Sequence, residues 1–562
     1  MSISLHQEYD GKHVLLTGGT GFVGKVWLVM ALMRLPNIAR IYVLMRGKGR
    51  NVNDRWIKMV NENPAFRPLH ELHGADLSRF IAERVEVVPG TLDSAQMSIE
   101  DSVADRLREN VDLIVNCAGL VDFNPDVRVA VSSNLDGSMH VADFAASCKK
   151  AAMIHVSTCY VAGTKDGFIP ETIAETAPNG QPLDPEAEYV RLKEIIEETE
   201  AENESEETVR TLTEEVVARL EKRGYEPTEK RVSGTVGRLK AKRLREVMAQ
   251  AGTDRAKELG WPNTYTYTKA LAEMLTKVRY PNLRHTVLRP AIVESALSFP
   301  FPGWNEGFNT SGPLIYLAGT WFRHIPAKAG NPLDIIPVDL VVNGIFIAGA
   351  AVMRGEHEEV YQTGSSDRAF LPIDRLTELS ALGHRQHLRK TGADRVEKLI
   401  LSRWDALASD PEHVLNVSNI REVVFQVTRY LRHGRPEKIP REWKDEAESL
   451  AKSGDKAQRK LRQIEEVLDL FMPFTYDHYM VFEARALDKH PIDEPEFRFQ
   501  PEDIDWRQYW LECHMPGLRR WCFPSQYENK ETETYTPAVP FEMLEGESLA
   551  PIPNQAASEA AR

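Results

Sequence analysis

The chain has 562 residues, 42% hydrophobic and 27% charged, and a formal net charge of −14. At about 150 residues per domain that is room for two to four domains, with cores large enough to need neither disulfides nor a metal. Ordinary glycine and proline usage (34 and 33) excludes a collagen-like or broadly disordered chain, and the acidic balance argues against bulk binding to nucleic acid or anionic lipid, leaving only local basic patches.

The first 150 residues alternate strand-like and helix-like segments. A β-rich run at 13–16 leads into a glycine turn, and 23–35 then carries apolar residues at helical spacing until Pro36. Further apolar runs follow at 41–45, 84–88, 111–116, 153–157 and 286–289. Apolar strands without alternation, separated by helices, predict a parallel sheet covered on both faces.

Between Lys165 and Trp261 the pattern changes: 194–207 is dominated by Glu, and the segment turns basic around Arg238, Lys240, Lys242, Arg243 and Arg245. This reads as solvated helices inserted into the α/β domain, over 166–260. Of the basic residues, Lys240, Lys242, Arg243 and Arg245 are candidates to meet an anionic substrate. The apolar run at 338–353 is interrupted by Asp339 and Asn343, too short and polar for a membrane span, and fits a buried helix. After about Ser366 the alternation fades. A mostly helical second domain is expected over 371–528, and a disordered tail over 529–562. The N-terminus has no apolar h-region, so no signal peptide is expected. Five cysteines, an odd number, with Cys117 and Cys159 at strand ends, read as reduced thiols. A soluble, cytoplasmic protein is expected.

Thr17-Gly18-Gly19-Thr20-Gly21-Phe22-Val23-Gly24 joins the first strand to the first helix. Gly18 suits the tight turn, Gly21 lets backbone approach a pyrophosphate, and Gly24 allows close helix–strand packing, while the helix N-terminus offers N–H groups to phosphates. At the end of the second strand an NAD site wants a carboxylate for the ribose 2′-OH. Here Arg46, Lys48 and Arg50 stand with no acid among them, which predicts NADPH.

Tyr265 and Lys269 form Tyr-x-x-x-Lys and share a helix face, where a neighbouring ammonium is expected to lower the phenol's pKa. The fifth strand ends in Ser157-Thr158-Cys159, placing hydroxyls where α/β sheets build active sites. Cys159 as a nucleophile is disfavoured, since His155 would lie about 13 Å away along an extended strand. His384-x-x-His387 and Cys513-His514…Cys522 lack paired zinc spacing, so no metal is expected.

The glycine spacing, G-x-x-G-x-x-G, resembles the extended short-chain dehydrogenase/reductase superfamily, with a Rossmann-type doubly wound fold. That resemblance implies that Ala118 and Gly119 pass the adenine ribose, that Asp93 meets the adenine, that Pro290 lines the cofactor, and that Thr158, with Ser157 as runner-up, bonds the substrate carbonyl. Together with WPNTYTYTK (261–269), LRPAIVESAL (288–297), FPGWNEG (301–307) and IPVDLVVN (336–343), the chain resembles the fatty acyl-CoA reductases with a male-sterility-type domain. IDWRQYWLECHMPGLRRW (504–521) resembles their helical C-terminal domain. The resemblance covers roughly 8–525, with the reductase domain over 8–370, and looks like the soluble bacterial members of the family. It implies reduction of a long-chain acyl-CoA by NADPH to an aldehyde and on to a primary alcohol, with Thr158, Tyr265 and Lys269 catalytic and an acyl tunnel near 300–304 and 471–482. An aldehyde-forming thioester reductase acting on acyl-CoA or acyl carrier protein is the alternative. A sugar-nucleotide epimerase or sterol dehydrogenase would not explain IVESAL or FPGWNEG, and a non-enzymatic NADPH-binding protein usually lacks the Tyr or the Lys. No transmembrane segment is expected. Oligomeric state and peripheral contact with a membrane surface stay open.

Overall fold

β1 (His13–Thr17) reads HVLLT, with four of its five residues buried, and it pairs on both sides. Such a strand needs cover on both faces, which only crossover helices supply. In the computed structural model, which describes residues 2–47, 51–307, 311–320, 322, 324–390, 406–413, 416–433, 444–527 and 530–544, it lies at the centre of a seven-stranded sheet. The others are β2 (Arg40–Met45), β3 (Val85–Pro89), β4 (Leu113–Asn116), β5 (Ala152–Val156), β6 (His285–Pro290) and β7 (Val360–Thr363). All pairs are parallel, in the order β3-β2-β1-β4-β5-β6-β7. The order reverses between β1 and β4, opening a crevice at their C-terminal ends, where such sheets bind ligands.

The apolar run beginning at Val338 forms the helix Val338–Arg354, buried almost throughout and packed on β5, β6 and the helix Phe22–Arg34. Gly355, at φ +74°, ends it in the left-handed conformation that favours glycine. No described helix is long and apolar enough to cross a membrane.

Between β5 and β6 three helices follow one another: Pro185–Glu204, Glu206–Lys222 and Glu229–Glu258. Their charges pair largely with each other. Lys240 meets Glu204, Lys242 meets Glu246 at 3.5 Å, and Arg243 donates to Asn203 and Glu202. These cations, candidates for an anionic substrate, thus have partners within the insertion; Arg245 donates to the carbonyl of Ala241.

The C-terminal region is largely helical, as expected, in the helices Ile373–Lys390, Val417–His433 and Lys444–Met472, and it adds short strands that the sequence did not announce. Leu407–Ser409 pairs in parallel with His324–Pro326, and Met480–Phe482 with Gly167–Ile169, so the chain returns to the reductase region as short strands. From 473 to 523 it advances in short, tight or widened turns between prolines, which interrupt any long helix. Over 530–544 the chain runs along the surface, Phe541 is buried against Trp56, and Asn61 exchanges two hydrogen bonds with the Phe541 backbone. One large aromatic with a matched pocket is enough to hold such a segment. Residues 545–562 lie outside the described residues.

Candidate active site

The glycine loop folds over the C-terminal end of β1. Gly18 has φ +70°, and a Cβ there would lie 2.6 Å from the amide nitrogen of Ala118. A Cβ at Gly24 would lie 2.3 Å from the carbonyl of Gly18, so the helix Phe22–Arg34 sits directly against the turn. No side chain caps that helix, which leaves its first N–H groups for an anion. Thr17 donates to Asn116 Oδ1 at 2.6 Å and accepts from the Ala118 amide at 3.3 Å, tying β1 to β4 across the crevice. The cradle fits a dinucleotide pyrophosphate.

At the end of β2, Arg46 is exposed. Arg55, nine residues on, donates to the Arg46 carbonyl at 2.7 Å and to Thr20 Oγ1 at 3.3 Å, bringing a second guanidinium to the loop. Lys48 and Arg50 lie outside the described residues. Asp93 is exposed and accepts from Thr91 Oγ1 at 2.8 Å, while Pro290 is buried at the end of β6.

The helix Thr264–Arg279 brings the other half of the site. Asn263 caps it through the Thr266 amide at 2.9 Å, and the Tyr265 amide donates to the Phe123 carbonyl. Lys269 is buried and donates to the Val156 carbonyl, at the end of β5, at 2.7 Å. A Cβ on Gly119 would stand 3.7 Å from its Nζ, so the ammonium lies over the ends of both β4 and β5. Tyr265 is half-buried, its ring edge-on to Phe123 at 6.3 Å. Phe123 meets Phe471 at 6.1 Å and Phe474 at 6.0 Å, and Phe474 meets Tyr160 at 4.8 Å. The C-terminal region therefore builds an aromatic wall beside Tyr265. Thr158 Oγ1 accepts from the Tyr160 amide at 3.3 Å, which leaves its proton to donate elsewhere. Ser157 is also buried there, and its hydroxyl has no partner among the described residues.

One expectation is overturned. Tyr265 is not depressed by Lys269; burial pushes its phenol up to about 12. The ammonium is turned to the Val156 carbonyl, and burial brings Lys269 itself down to about 8, against the pull of Glu273. Desolvation outweighs charge at both groups. Cys159, disfavoured as a nucleophile, is buried, bonded to the Arg289 carbonyl at 3.0 Å, and held protonated by a thiol pKa well above the usual value, with burial the main cause.

The pattern that defines the male sterility protein family, an NAD-binding one, matches residues 16–345. The chain belongs to that family. Within the male sterility family frame the ligand of the glycine loop is a nicotinamide dinucleotide. The chain is 28% identical over 548 residues to "Probable fatty acyl-CoA reductase 5" of Arabidopsis thaliana, covering 92% of this chain and 99% of that one. It is also 28% identical over 540 residues to "Alcohol-forming fatty acyl-CoA reductase" of Simmondsia chinensis, covering 92% and 98%. The reductase domain of a nonribosomal peptide synthetase from Mycobacterium tuberculosis superposes with a TM-score of 0.42 at 14% identity, over 91% and 89% of the two chains. That superposition is loose and bears on neither fold nor chemistry.

Two site residues of this family member escape sequence reasoning. Asn134 sits in a widened helical turn, Val131–Asp136, where its side chain accepts from the Leu120 amide at 2.8 Å and donates to Thr268 Oγ1 at 3.1 Å. It fixes the Gly119–Leu120 turn beside Lys269. Glu273, one helical turn beyond Lys269, is buried and held by Arg289 through three contacts of 2.5–3.2 Å. Lysine-to-glutamate spacing was visible, but the arginine comes from a different strand.

Proposed function

We propose that this chain is an NADPH-dependent fatty acyl-CoA reductase that takes a long-chain thioester through the aldehyde to the primary alcohol. The reading is supported by the glycine cradle at the end of β1, Lys269 bonded to the last carbonyl of β5, Thr158 two residues beyond that strand, and Tyr265 on the same helix as Lys269 beside the wall of Phe123, Phe471 and Phe474. The names of the full-length relatives support the substrate class. Arg46 and Arg55, with no carboxylate at the end of β2, support NADPH over NADH.

When bound, the nicotinamide supplies a hydride to the thioester carbonyl carbon. Thr158 and Tyr265 donate to the carbonyl oxygen and hold the charge it gains. Tyr265, with a pKa near 12, stays protonated at neutral pH and suits proton transfer to an alkoxide. Lys269 binds and orients from the ends of β4 and β5. The hemithioacetal then returns its hydroxyl proton to the Tyr265 phenolate as it expels the CoA thiolate and leaves an aldehyde, and a second round at the same groups, with a second NADPH and a proton drawn from solvent, gives the alcohol.

In this reading 8–370 is the reductase unit, with 166–260 inserted, and 371–528 supplies the wall against which the acyl chain lies. Five free thiols support a reducing, cytoplasmic setting. The test is incubation with NADPH, and in parallel NADH, across a panel of acyl-CoAs, with products identified by mass. Alcohol, two NADPH oxidised per CoA released and a preference for NADPH are expected. Aldehyde accumulating at one NADPH per CoA would replace the alcohol-forming step, and no turnover of any acyl-CoA would refute the substrate class.

A further inference from the structure

The segment 530–544 fastens chiefly to one helix, Val52–Glu62, which follows β2. Phe541, only 2% exposed, lies edge-on to the buried Trp56 at 6.4 Å. The Phe541 amide donates to Asn61 Oδ1 at 2.7 Å, and Asn61 Nδ2 donates to the Phe541 carbonyl at 2.9 Å. The Tyr535 amide donates to the Glu62 carbonyl at 3.0 Å. Further anchors flank the helix: Glu542 donates from its amide to Ser78 Oγ at 3.0 Å, the Tyr535 ring lies 5.4 Å from His70, and Glu533 pairs with Arg520 at 2.7 Å. Of the two aromatic rings set edge-on against Trp56, Phe66 at 6.2 Å belongs to the sheet region and Phe541 to this segment.

The helix carries Arg55 next to Trp56. Arg55 is half-buried and gives one N–H from each terminal nitrogen, to the Arg46 carbonyl at 2.7 Å and to Thr20 Oγ1 at 3.3 Å. Both acceptors are neutral, and three of its five N–H groups keep no partner among the described residues. An unpaired guanidinium thus joins the end of β2 to the glycine loop, where a 2′-phosphate would lie. Adjacent helix positions differ by about 100° around the axis. A helix that turns to carry Trp56 into space left by Phe541 therefore swings Arg55 by the same angle. Guanidinium–phosphate contacts depend on the orientation of a planar fork, so a swing of this kind weakens them.

We propose that the segment 530–544 clamps cofactor specificity: Phe541 on Trp56, with Asn61 holding its backbone, sets the angle at which Arg55 meets the 2′-phosphate, and so the preference for NADPH over NADH. Phe541 is a positioning residue that acts through Trp56 and Arg55. This role presupposes the NADPH reading.

Equilibrium binding of NADPH and NADH to the full chain, followed by cofactor fluorescence, tests it without any acyl substrate. Phe541→Ala is expected to weaken NADPH about tenfold, the worth of one hydrogen bond to a charged group, and to leave NADH, which lacks the 2′-phosphate, within about twofold of wild type. Asn61→Ala frees the backbone of the segment without emptying the aromatic pocket, and should shift the NADPH-to-NADH ratio in the same direction. Phe541→Leu refills much of the pocket and should recover most of the loss. In an Arg55→Met background Phe541→Ala should cost NADPH nothing more. Equal loss of both cofactors in Phe541→Ala and in Asn61→Ala would show that the segment only stabilises the fold, and overturns the proposal. So does a Phe541→Ala effect that persists undiminished in Arg55→Met. Wild type binding both cofactors equally refutes the NADPH reading itself, whereas a wild-type preference left untouched by Phe541→Ala sinks the clamp alone.

Discussion

Lys269 is one residue whose surroundings set both charge and pH response. Burial lowers its pKa to about 8, below the unfolded value of 10.5, with Glu273 pulling the other way. A folded pKa below the unfolded one means that the charged form costs stability at neutral pH, a cost relieved as pH rises from about 8 towards 10.5. If charged Lys269 binds the cofactor, kcat/KM for NADPH should fall on an alkaline limb centred near pH 8. Lys269→Arg should move that limb out of range, and a limb unchanged by the substitution would contradict the assignment. Tyr-x-x-x-Lys was legible as helical spacing, but the sign of the phenol's shift was not. It depends on the Phe123 backbone and on Phe471 and Phe474, some 200 positions away, which spacing within one helix cannot reveal.

At the scale of elements, the inserted helices hold the helix that carries Tyr265. Glu188, buried on the first of them, accepts from the Tyr267 hydroxyl and from Arg255 at 2.6 and 2.8 Å. Arg279, in the last turn of the Tyr265 helix, makes two 2.7 Å bonds to Glu186. Glu188→Ala leaves a partly buried guanidinium and a buried phenol without their acceptor. It should cost about 2 kcal/mol, after allowing for solvent at Arg255, and a denaturant titration measures it. A glutamine at 188 should recover part of the loss, and an unchanged midpoint for the alanine variant would contradict the role. The solvated faces of the insertion were legible from its charge pattern. Glu188 was not, because a carboxylate in an acidic helix gives no sign that it is the one turned inward.

At the scale of the whole molecule, residues 3–6 and the region 480–522 close on the sheet region. Glu494 accepts from Ser4 and from the amides of Leu5 and His6. His514, fully buried and brought to about 3 by burial, is neutral; its Nδ1 lies 2.8 Å from Ser295 Oγ, which accepts from Asn305 at 2.9 Å. His514→Ala should lower the unfolding free energy by about 3 kcal/mol, read by denaturant titration, since it opens a cavity and leaves the buried Ser295 hydroxyl with Asn305 but without His514. No change would contradict a joined assembly. The parallel strands of the sheet, from the first at 13–16 to the one at 286–289, and the glycine cradle were legible because each is written within a short stretch, whereas their order in the sheet was not. The return of the C-terminal region was not, since it rests on pairings such as Met480–Phe482 with Gly167–Ile169, more than 300 residues apart.

The central claim is that the Tyr265 phenol gives its proton to the reacting carbonyl oxygen. Tyr265→Phe removes that proton and little else, so single-turnover oxidation of bound NADPH by an acyl-CoA is the direct measurement. The account predicts a fall of about 10²- to 10⁴-fold with NADPH affinity unchanged; turnover at the wild-type rate would contradict it.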